Sequence, residues 1–68
     1  MVEVFKTNVQ SENHALHVTG QLISQFPGFA INFDLEDCDR ILRIEGDGIC
    51  NAVIIQLLTA IGVEADPL

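Results

Sequence analysis

Sixty-eight residues, 49% of them hydrophobic, suffice for one small folded domain and are too apolar for a disordered chain. A net charge of −7, with Lys6, Arg40 and Arg43 the only cations beside two histidines, excludes nucleic acid and anionic membrane as partners, because both are bound by neutralising phosphates with Lys and Arg. No apolar run approaches the ~20 residues that span a bilayer, and the opening residues lack the basic segment and apolar run of a secretory signal, so a soluble cytoplasmic protein is expected.

Val2 to Thr7 mixes β-branched and aromatic residues and reads as a strand. Asn8 to Glu12 is a polar loop. Ser11 suits the N-cap of the following helix, since its hydroxyl can accept from an exposed amide of the first turn. That helix runs from Glu12 to Gln25, with Ala15, Val18, Leu22 and Phe26 recurring at helical spacing toward the core. Gly20 weakens it by ~1 kcal/mol relative to Ala, and Pro27-Gly28 ends it. Phe29 to Leu35 reads as the second strand, with Phe29, Ile31 and Phe33 alternating against Ala30, Asn32 and Asp34. A polar turn, Glu36 to Asp39, leads to the third strand, Arg40 to Glu45, and the two strands make an antiparallel hairpin. Gly46 to Gly48 breaks the strand. Asn51 to Ile61 is the second helix, stopped by Gly62, and Val63 to Asp66 offers a short last strand limited by Pro67.

Each helix is expected to carry the chain to a parallel neighbouring strand, and right-handed crossovers place both helices on one face of the sheet. The expected fold is α+β: a single domain over residues 1–68, built as a two-layer ferredoxin-like β-α-β-β-α-β sandwich with a short last strand. Its core should include Val4, Phe5, Val18, Leu22, Phe33, Leu42, Ile54, Leu58 and Ile61.

Val18 and Leu22 in the first helix, the Pro27-Gly28-Phe29 turn, Phe33-Asp34-Leu35 and the closing Ile61-Gly62-Val63-Glu64-Ala65 together resemble the heavy-metal-associated (HMA) domain of copper chaperones and metal-pumping ATPases. The likeness covers nearly the whole chain. It implies the ferredoxin-like fold and a metal loop of pattern M-x-C-x-x-C. The equivalent here is Val9-Gln10-Ser11-Glu12-Asn13-His14, with Ser11 and His14 at the two cysteine positions. Asn8 replaces the family's Gly, and Lys6 falls where a core Val is usual.

In that family two thiolates hold Cu(I), a soft ion suited to soft sulfur. A Ser hydroxyl is a hard, weak donor and cannot replace a thiolate. His14 offers one imidazole, which favours Cu(II), Ni(II) or Zn(II), and His17 lies within reach one helical turn on. The candidate metal ligands are therefore His14, Ser11 and His17, with Glu12 beside them, in a weak site for Cu, Zn or Ni. On the simpler reading, Ser11 caps the helix and both histidines are solvated.

Neither cysteine reads as a functional thiol. Extending the line of Ile54, Leu57, Leu58 and Ile61 backward puts Cys50 on the inner face as a small buried residue. Cys38 is expected exposed in the acidic turn, a poor setting for a nucleophile. Asp34, Glu36, Asp37 and Asp39 lack the Gly and final Glu of a calcium loop and read as a solvated hairpin tip. On the second helix, Val53 and Ile55 widen the apolar arc. They are either tolerated exposed aliphatics or a surface that docks a partner or a second copy.

No enzyme is expected. Phosphate-hydrolysing domains of this fold need an Arg in the first strand-helix loop, and Asn8 to Asn13 holds no cation. Two functions remain: a small HMA-like protein that binds or traffics a transition metal through altered ligands, or an interaction module that kept the scaffold and lost the metal site.

Overall fold

The computed structural model describes all 68 residues. Six elements follow in the expected order: β1 (Val2–Thr7), α1 (Glu12–Gln25), β2 (Ala30–Asp34), β3 (Ile41–Glu45), α2 (Asn51–Ala60) and β4 (Ala65–Pro67). The strands form one sheet in the order β2-β3-β1-β4, and every pairing is antiparallel. This is the ferredoxin-like α+β fold.

The expected parallel neighbours do not occur. α1 joins β1 to β2 with β3 between them, and α2 joins β3 to β4 with β1 between them. Each crossover skips one place, and a strand from the other half of the chain fills it. Two β-α-β units thus interlock, and each strand gains an antiparallel partner.

The pleat decides which residues reach the core. Phe5 stands opposite Leu42, and both are fully buried. Val4 stands opposite exposed Arg43 and is only half-buried, on the open face of the sheet. Successive strand residues point to opposite faces, so Val4 and Phe5 cannot share a core. Phe33 and Ile61 are also only half-buried. Phe33 lies on β2, an edge strand, and Ile61 is the C-cap of α2. The other expected core residues are buried, joined by Val9, Ala15, Ile44 and Val63.

The helix ends follow local rules. At the end of α1 the Phe26 N–H donates to the Leu22 carbonyl at 2.8 Å. The Phe26 and Phe29 rings stack across the Pro27-Gly28 turn with centroids 5.3 Å apart. Gly46 lies against that stack, and a Cβ there would overlap the Phe29 ring, so the close approach requires glycine. α2 ends in a Schellman motif: Gly62 at φ +83 donates to the Thr59 carbonyl, and Val63 donates to that of Leu58 at 2.8 Å. Val63 and Leu58 then pack together in the core.

Candidate functional site

The loop between β1 and α1 is held by the rest of the molecule. The Thr7 hydroxyl is buried, donates to the Arg40 carbonyl at 2.6 Å and accepts from the Val9 N–H at 3.3 Å. The Thr7 N–H donates to the Asp39 carbonyl. The Asn8 side chain accepts from the Glu64 N–H at 3.0 Å. Val9 is 0% exposed, although its neighbours Asn8 and Gln10 are both exposed and polar. A valine isolated in a polar loop carries no periodicity and so gives the sequence no signal of its burial.

Ser11 is the N-cap of α1. Its backbone is extended (φ −127, ψ 155), and its Oγ accepts from the His14 N–H at 3.1 Å. This satisfies one of the amides that a helix start leaves unpaired. His14 is half-buried and His17 is exposed. The structure gathers only one set of three His, Cys, Asp or Glu side chains with ligand atoms within 4.8 Å of one another, and it is Asp37, Cys38 and Asp39 in the β2–β3 turn. Glu12, His14 and His17 do not form such a group.

The Asp37–Asp39 set is explained by turn geometry. Asp37 Oδ1 accepts from the Asp39 N–H at 2.8 Å, and Asp39 faces Lys6 Nζ at 3.8 Å. The turn ends at Arg40, whose φ of +49 reverses the chain into β3. Cys38 is exposed, as expected. Cys50 is exposed too, which corrects its expected burial. It is the N-cap of α2, with extended backbone (φ −112, ψ 110) and no side-chain capping bond. Helical spacing cannot be extended through a residue outside the helix. Ile49 turns toward the core in its place.

Tertiary structure brings a cation to the first loop that its own sequence lacks. Arg40 Nη1 donates to the Leu35 carbonyl at 3.0 Å and lies 3.5 Å from that of Gln10. Its guanidinium therefore clamps backbone from both loops. Arg43 pairs with Glu45 at 3.5 Å. On α2, Ile55 packs against the core, whereas Val53 is 44% exposed.

One groove marks the surface, between α1 and β2, with a volume of about 530 Å³. Ala15, Leu16, Ile31, Phe33 and Leu35 give it an apolar floor, and Glu12, Asp34 and Glu36 give it carboxylates. No cation lines it. β2 has a partner only on its β3 side, so the groove runs beside unpaired backbone.

Compared with known proteins, the chain matches no family model, and no curated protein matches it significantly.

Proposed function

We propose that this chain is a cytoplasmic protein-interaction module that keeps the scaffold of a heavy-metal-associated domain and does without its metal site. The observation that carries this reading is the role of Ser11. Its hydroxyl caps α1 through the His14 amide, so the position aligned with the family's first cysteine serves the helix. His14 then has neither a thiolate nor a clustered carboxylate beside it. The exposed Val53 on a helix with no charged residue adds a second apolar surface for contacts with a partner or another copy.

Titrating the reduced protein with Zn(II), Ni(II) and Cu(I) against chelators of known affinity tests this. The reading expects no binding tighter than micromolar, and no change on His14→Ala. Tighter binding that is lost both in His14→Ala and on acidification would overturn it in favour of an altered-ligand metal carrier, because an imidazole must be deprotonated to coordinate.

A further inference from the structure

We propose that the groove between α1 and β2 receives an extended, basic-ended peptide segment, which adds to β2 as a fifth strand. This rests on the interaction-module reading and names its site and the chemistry of its partner.

The argument starts from the two sheet edges. β4 is three residues long and contains Pro67, which cannot donate to a ladder. β2 is five residues long, has no proline and no lysine, and pairs on one side only. Natural edges are usually protected by proline, lysine, a bulge or a covering element. Here the groove leaves the β2 edge open. Beside it, Leu16 stands 70% exposed on α1, and Ile31 and Phe33 lie half-buried below. An added strand would extend the backbone ladder and rest alternate apolar side chains on this floor, the mode known as β-augmentation.

Charge selects the occupant. Glu12 begins α1, Asp34 ends β2, and Glu36 follows it. The Arg40 clamp from Gln10 to Leu35 places these positions at one end of the groove. Lys6 pairs with Asp39 and Arg43 with Glu45. Arg40 stands at this end with its guanidinium on the Gln10 and Leu35 carbonyls, and its single charge against three carboxylates leaves the end net negative. The groove therefore has an acidic end and an apolar length. A second copy would bring another net charge of −7 and a second set of carboxylates, so the complementary occupant is a different, basic segment. Antiparallel addition sets the N-terminal side of that segment against the acidic end, with aliphatic residues following it.

The probe is an acetylated, amidated octapeptide, KRKTVTVT, titrated into the isotopically labelled full chain and followed by amide chemical shifts and calorimetry. The expected result is saturable binding, with the largest shifts at Ala30 to Asp34 and along the groove face of α1. It should weaken with added salt. Combining Glu12→Gln, Asp34→Asn and Glu36→Gln should weaken it by about tenfold, or about 1.4 kcal/mol, because rim charges contribute modestly. Leu16→Lys at its exposed site should abolish it without unfolding the chain. The acidic peptide EDETVTVT and a backbone N-methylated KRKTVTVT should not bind. The proposal is overturned if β2 amides do not shift at millimolar peptide, if either control peptide binds equally, or if the chain by itself dimerises through β2. Failure here together with an absence of metal binding would leave the module reading in place with its contact surface elsewhere. Tight His14-dependent metal binding would remove the module reading itself.

Discussion

The two loops that launch the helices solve the same problem by different means. The first, Asn8 to Ser11, combines a local cap with tertiary ties. Ser11 caps α1, Val9 is buried, and Thr7, Asn8 and Gln10 are bonded to the β2–β3 turn and to the approach to β4. The second, Gly46 to Cys50, has no side-chain cap. It relies on the Gly46 N–H donating to the Met1 carbonyl, on Gly48 at φ +72, and on Asn51 Nδ2 reaching Glu3 Oε2 at 3.3 Å. The loop that resembles a metal-binding loop is thus the more firmly built of the two. Its side-chain bonds run to backbone of the fold: Thr7 to the Arg40 carbonyl, Asn8 from the Glu64 N–H and Ser11 from the His14 N–H.

The largest effect should come from placing thiolates in the firm loop. Ser11→Cys with His14→Cys is expected to raise Cu(I) affinity by several decades, each worth about 1.4 kcal/mol, in competition with a Cu(I) chelator. The start of α1 favours the negative charge of the complex. A folded double variant that binds Cu(I) no better than the parent would mean that Ser11 and His14 do not occupy the cysteine positions.

The next effect separates the loops by burial. Val9→Ala should cost about 2 kcal/mol, from lost burial plus a cavity, and lower the melting temperature by roughly 10 °C in a domain of this size. Ile49→Ala should cost about half as much, because Ile49 is only half-buried and its site can refill with water. Equal losses in thermal melts would erase the difference between the loops.

The caps give the smallest effects, and of opposite sign. Ser11→Ala should destabilise by about 1 kcal/mol in urea unfolding, since the His14 amide loses its acceptor. Cys50→Ser should stabilise by about 0.5 kcal/mol, because it adds a hydroxyl where the cap position has none engaged. A neutral Cys50→Ser would mean that the hydroxyl does not reach a backbone amide in the first turn of α2.

Local chemistry made much of this molecule legible in its residues. The bounds of α1, the Ser11 cap, the Pro27-Gly28 stop, the hairpin and the Gly62 terminus all depend on neighbours within four or five positions, where spacing and side-chain type are sufficient signals. The same holds for Leu42, Ile54 and Leu58, whose periodicity carries them inward.

The remainder depends on contacts between residues distant in sequence. Strand order was decided by the sheet as a whole, which placed β3 between β1 and β2 and β1 between β3 and β4. Only that pairing fixed the faces of Val4 and Phe5. Burial of Val9, the clamp of Arg40 on two loops and the exposure of Cys50 likewise follow from what the fold brings alongside. The groove has the same origin: Leu16 and Phe33 are separated in the chain by a helix end and a turn, and they share a surface only because α1 packs beside β2. Composition and spacing determined which residues could form helices, strands and caps, since those choices are local. The tertiary structure alone decided which of their faces remained open, because an open face is defined by the element that does not cover it.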